Sequence, residues 1–200
     1  MPECIERSGS SINFDVQREL IPRNTTLHLI DALDGLKAKL LAAAAQFELL
    51  DEFGGVPAEP SYAELLQHTV SAQGFSRDVV QLTADFARST HSTNRAGSVV
   101  LAHLATAATM SNQAAPHFAE TAESALSLPL SSSPTDQQYR ENHMVINHAT
   151  ARAYLRRASE SLRDAAKELN THLEFHRFFS TAALPQPPAS PQSQPSTRHR

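Results

Sequence analysis

The sequence predicts an all-α fold: an antiparallel helical bundle of about four main helices, with a long C-terminal helix. Three observations predict it. Glycine is scarce, at six residues in 200, while alanine is abundant at about 30, a balance that favours helix over sheet. Apolar residues recur at alternating steps of three and four, the a/d spacing of helices that pack along a seam. Short Pro/Ser/Gly stretches separate these runs, and short connections make sequential helices antiparallel neighbours.

Residues 1–23 are polar, patternless and end near Pro22, so a disordered N-terminal segment is expected there. The first helix follows, with Asn24, Thr25 or Thr26 expected as its cap and Gly54–Gly55 as its end. Its seam is Leu29, Leu33, Leu36, Leu40, Ala43, Phe47 and Leu50, widened by Leu27, Ile30, Leu41 and Ala44. The second segment opens at Ser61, with Glu64 at the capping-box position; Gly74 is a candidate break or kink within it, and a break there would leave Ser76 to cap a fresh helix.

The third runs from Thr93 to about Ser127 on the seam Leu101, Leu104, Ala108, Ser111, Ala115, Phe118, Ala122 and Ala125. Pro116 is expected to kink or split it. LPLSSSPTD is a loop, after which Asp136 is the expected cap of a last helix reaching about residue 180. Its seam reads Met144, His148, Ala151, Leu155, Ala158, Leu162, Ala165, Leu169, His172, His176 and Phe179; alternation of Leu with Ala permits close helix approach. The domain reading is therefore one bundle over 24–181, followed by a disordered Pro/Ser/Gln-rich tail over 182–200. The P-x-x-P match at Pro188–Pro191 comes free in such a composition.

Composition narrows the function. A net charge of −4 demands neither nucleic acid nor a membrane surface as partner. The single cysteine, Cys4, makes no internal disulfide, and the N-terminus lacks an apolar signal core, so a reducing cytoplasmic setting is expected. No apolar run is long enough to span a bilayer. Basic residues are nearly all arginine, and with the alanine excess this resembles a GC-rich bacterial coding bias. No nucleophile elbow and no glycine-rich phosphate loop is present.

Two chemistries remain beside simple protein contact. His172 and His176 are four apart, hence on one helix face, as paired metal ligands would be. His148 shares their seam but sits about 36 Å from His172 along the axis, so a third ligand would have to come from elsewhere, with His28 or His117 as candidates. The competing expectation is a structural pair, partly wet and metal-free. The other chemistry is a helix-turn-helix over residues 70–85, whose recognition helix would start at Ser76 and expose Arg77 and Gln81 to bases. Asp78, Asp85 and the lack of a surrounding basic patch count against it. The arginine-bearing flank of the last helix, Arg152, Arg156, Arg163 and Lys167, is interleaved with acids and reads as solvated surface.

The expected function is therefore a non-catalytic bundle that needs no cofactor and works through a protein partner or a homo-oligomer. An overhanging last helix would be one source of exposed apolar surface.

Overall fold

The computed structural model describes residues 20–181, with side chains as far as Phe175. The expectations for residues 1–19 and for the tail from 182 lie outside the described residues, as do the side chains of His176 and Phe179. Among the described residues four α-helices pack together: α1 (Arg23–Gln46), α2 (Tyr62–Arg88), α3 (Arg95–Ser127) and α4 (Pro134–Thr181), with a 3₁₀ turn at Leu128–Leu130. No strand occurs among the described residues.

Several boundaries differ from the sequence reading, each for a local reason. The ordered core already includes Ile21, which is 0 % exposed, so packing begins ahead of residue 24. None of the three candidate residues caps α1. Pro22 precedes its first turn, and Thr26 is an interior residue whose hydroxyl donates to the carbonyls of Pro22 (3.1 Å) and Ile21 (3.4 Å). α1 stops at Gln46 rather than at Gly54–Gly55, because Phe47 turns out of the helix and stacks on His68 of α2. Gly54 and Gly55 instead belong to a turn closed by the Asp51 carboxylate, which accepts from the N–H groups of Phe53 and Gly55 (both 2.9 Å). Gly54 has φ of 79°, a conformation that glycine adopts without Cβ strain.

Ser61 caps α2 as expected, accepting from the Glu64 N–H. Gly74 does not break this helix. Ser76 is buried inside it with its hydroxyl toward Asn112 of α3, so packing on α3 holds the helix through the glycine. Asn94 caps α3, and α3 runs unsplit through Pro116, whose neighbours Ala115 and Phe118 are buried. Ser133, not Asp136, caps α4: its hydroxyl accepts from the Asp136 N–H (3.2 Å), with Pro134 at the first helical position.

Cross-helix hydrogen bonds give the topology. Ile21 meets His172 and Ala44 meets Arg152, so α1 is antiparallel to α4. His117 meets Asn147 and Ser124 meets His143, so α3 is antiparallel to α4 as well. Ser76 to Asn112 and Thr83 to Leu104 make α2 antiparallel to α3. The chain therefore runs up-down-up-down, with α4 as the spine between α1 and α3. α1 and α2 scarcely approach each other along their lengths.

The α4 seam is buried as drawn: Met144, Ala151, Leu155, Ala158, Leu162, Ala165 and Leu169 are all 0 % exposed. The expected overhang is absent through the described side chains, because the seam stays covered as far as His172, where Ile21 meets it. On α1, Leu33, Leu40, Ala43, Ile30 and Ala44 are buried, whereas Leu27 and Leu41 face outward and narrow the stripe. Leu49, rather than Leu50, turns inward after the helix.

Candidate functional site

The sites expected from the sequence take other roles. His172 is 6 % exposed, and its Nε2 accepts the Ile21 N–H at 2.9 Å, a bond that requires an unprotonated nitrogen. It is a buried tether between the chain entry and α4, not the partly wet residue expected near a helix end. His176 lies on the same helix, with its side chain outside the described residues. His28 is exposed on α1. His117 bonds Asn147 of α4 and stacks on Tyr154, which lies about 27 Å along the helix from His172, so it cannot complete a site there. Among the described residues no group of three or more His, Cys, Asp or Glu side chains is placed to hold a metal ion.

The helix-turn-helix loses its turn, since residues 70–85 lie within one unbroken helix. Ser76 opens nothing, being buried in mid-helix. Gln81 donates to both oxygens of Asp85 (3.0 Å each), and Arg88 pairs with the same carboxylate, so Asp85 leaves this face without a net basic surplus for phosphates. Arg77 is exposed on its own turn of α2.

The residues that the fold does bring together are His68 and His148. Phe47 stacks on His68 with ring centroids 4.2 Å apart, and Phe118 meets both imidazoles edge-on at 5.7 and 5.3 Å. The two imidazoles are 5.6 Å apart. His68 Nδ1 and His148 Nε2 are buried without a hydrogen-bond partner among the described residues. Burial pushes the His148 pKa down to about 4, with His68 and Arg152 adding to the effect. His68 is lowered by burial too; Glu64 opposes the shift and Arg152 adds to it. Both rings are therefore neutral near pH 7.

Arg152 holds this corner. Its Nε donates to the Ala44 carbonyl at 2.7 Å, satisfying one of the free carbonyls at the end of α1. Between the segment after α1 and this turn of α4 is a cleft of about 290 Å³, with His148 and Arg152 in its wall. On the opposite side of α4, Asn147 links His117 (3.3 Å) to His143 (3.2 Å), and Ser124 also bonds His143 (3.2 Å).

His148 was legible as a seam residue, but its partner was not. Nothing local marks His68 as inward-facing, because its neighbours Leu65 and Thr69 form the buried face and His68 lies on its edge. The chain matches no protein-family model, no curated protein and no solved structure. Among the described residues no helix is long and apolar enough to cross a membrane.

Proposed function

We propose that this chain is a non-catalytic helical-bundle protein that acts in the cytoplasm through protein–protein contact, pairing with a second copy of itself through the outer shoulder of α2 and α3. One observation carries the reading: from residue 96 to residue 119, α3 contains no Asp, Glu, Lys or Arg, although Ala102, Ala105, Thr109 and Pro116 face outward. A solvated helix face normally carries charges of both signs.

The adjoining flank of α2 adds exposed apolar residues at helical spacing, namely Tyr62 (40 %), Leu66 (41 %), Val70 (52 %) and Val80 (48 %). Ser76 and Thr83 point at α3 from the same side of α2, which puts this stripe on the shoulder beside α3 rather than beside α1. Arg77, seven residues after Val70 and three before Val80, is the charge that this stripe carries in mid-helix, so laying the face against its own copy opposes few like charges. Small residues on α3 permit close approach of a facing helix.

Light scattering during size-exclusion chromatography tests the proposal. Wild-type protein should elute as a dimer, and Val70→Glu combined with Ala105→Glu as a monomer with an unchanged far-UV circular dichroism spectrum. A wild-type monomer at every concentration tried, or a double mutant that remains dimeric, overturns it.

A further inference from the structure

The two most exposed large apolar side chains among the described residues, Phe53 (88 %) and Leu130 (78 %), stand at one end of the bundle. An up-down-up-down chain puts the α1–α2 and α3–α4 connections at that end, and Phe53 belongs to the first and Leu130 to the second. Val56 and Leu128 pack on the same small apolar cluster, so the two connections lie side by side over it. Leu50 and Leu126 flank these connections and are exposed too. Single apolar residues on a surface are ordinary, whereas a group of them marks a contact surface. Neither tip is loosely held. The Asp51 carboxylate accepts from the Phe53 and Gly55 N–H groups, and the Asp51 N–H donates to the Gly55 carbonyl at 2.9 Å. Leu130 ends a 3₁₀ turn closed by the Ser131 N–H on the Leu128 carbonyl at 3.1 Å. A side chain presented on fixed backbone loses little freedom when a partner covers it.

The same end carries charge of one sign. Residues 47–66 hold five acids and no lysine or arginine. Residues 96–139 hold no lysine or arginine either, and their three acids, Glu120, Glu123 and Asp136, all fall toward this end. The first base after them, Arg140, is paired with Asp136 at 3.3 Å. The whole chain carries only −4, so this end is more acidic than the rest. We propose that the two connections form a docking surface for a basic amphipathic segment of a partner protein, with its apolar face on Phe53 and Leu130 and its Lys or Arg side chains against the acidic rim that includes Glu52, Glu59 and Glu123. Charge selects this occupant. An anionic membrane surface and nucleic acid are both repelled by the rim. A second copy laid end to end opposes acid to acid. Opposite charge on a partner speeds encounter and fixes its orientation, while the apolar tips supply the adhesion. These residues are not those of the α2–α3 shoulder, so either proposal can fail without the other.

Fluorescence anisotropy with the full chain tests it. The probe is a labelled helix-forming peptide of two LKKLLKL repeats, beside its LEELLEL counterpart and an oligolysine of the same length. The lysine–leucine peptide should bind saturably with Kd below about 100 µM, and each of the other two at least about tenfold more weakly. Phe53→Ser combined with Leu130→Ser changes only exposed side chains. Its circular dichroism and melting temperature should match the parent, while it binds the lysine–leucine peptide at least about tenfold more weakly. Glu52→Lys combined with Glu59→Lys should weaken the lysine–leucine peptide and tighten LEELLEL. Val70→Glu combined with Ala105→Glu should bind the lysine–leucine peptide as the parent does. No binding of that peptide at about 100 µM, equal binding of oligolysine, or undiminished binding in the Phe53→Ser, Leu130→Ser variant overturns the assignment. So does sedimentation of the parent, but not of that variant, with phosphatidylcholine–phosphatidylserine vesicles, which would make this end a membrane surface. Dimerisation that is lost in the same variant and kept in Val70→Glu, Ala105→Glu overturns it too, because a second copy would then be the occupant.

Discussion

At His148 the fold buries an imidazole whose Nε2 has no hydrogen-bond partner among the described residues, one turn from Met144 and one turn from Ala151. The consequence for stability has a definite sign. The folded pKa, about 4, lies below the unfolded value of roughly 6.5, so the native state disfavours the charged ring. The contribution of the neutral ring is complete above about pH 6.5 and is lost as pH falls through that value toward 4. Between pH 7 and pH 5 it amounts to about 2 kcal/mol. Urea unfolding at the two pH values should show a smaller loss in His148→Phe, whose ring cannot charge, than in the parent. Equal losses in both proteins would mean that His148 is not the acid-sensitive group. Leu162, 0 % exposed, presents the ordinary core case, and Leu162→Ala should cost about 2–5 kcal/mol. A cost under about half a kcal/mol would place that residue outside the core. The two residues also show what was legible: a leucine on a heptad seam announces its burial, whereas the His68–His148 contact depends on where two distant helices cross, and no local spacing encodes that.

Among the elements, helix existence was readable and helix interruption was not. Gly74 and Pro116 carry strong local signals to stop, but the tertiary packing of Ser76, Ala115 and Phe118 overrides both. The glycines permit a test with opposite signs. A Cβ built at Gly74 meets nothing within 4 Å, and the position is mid-helix, so Gly74→Ala should stabilise by up to about 1 kcal/mol. A Cβ at Gly97 would lie 1.8 Å from the His91 backbone carbonyl oxygen, where the turn before α3 folds over its first residues. Gly97→Ala should therefore lower the melting temperature by several degrees. Destabilisation by Gly74→Ala would imply a turn at that point and revive the two-helix reading of residues 70–85. Caps were a mixed case. Ser61 was legible because its capping-box partner follows three residues later, whereas Ser133 was hidden by the more acidic Asp136 beside it.

For the whole molecule, the aromatic and imidazole layer divides the bundle. On one side lies the main core, from Ile21 and Leu33 through Leu104 to Leu162 and Leu169. On the other lies a smaller cluster of Leu49, Leu65, Ala122, Ala125 and Met144, capped by the α1–α2 and α3–α4 connections. His148 sits between Met144 of the small cluster and Ala151 of the large one. Acid should therefore act unevenly. Protonating His148 places a charge beside His68 and Arg152, with Glu64 the acid that favours the charged form of His68, so the layer itself is what loosens. The large core retains the long contact of α4 with α1 and α3, while the small cluster has few buried residues of its own to hold it. Sub-global opening draws on the regions with least buried apolar contact. Hydrogen exchange read by mass spectrometry at pH 7 and pH 5, corrected for the intrinsic pH dependence of exchange, should show protection falling first in peptides covering Leu65, Ala122 and Met144. Those covering Leu33, Leu104 and Leu162 should hold. In His148→Phe the two sets should respond alike. Uniform loss of protection in the parent protein would show that the layer does not divide the fold into separately stable parts.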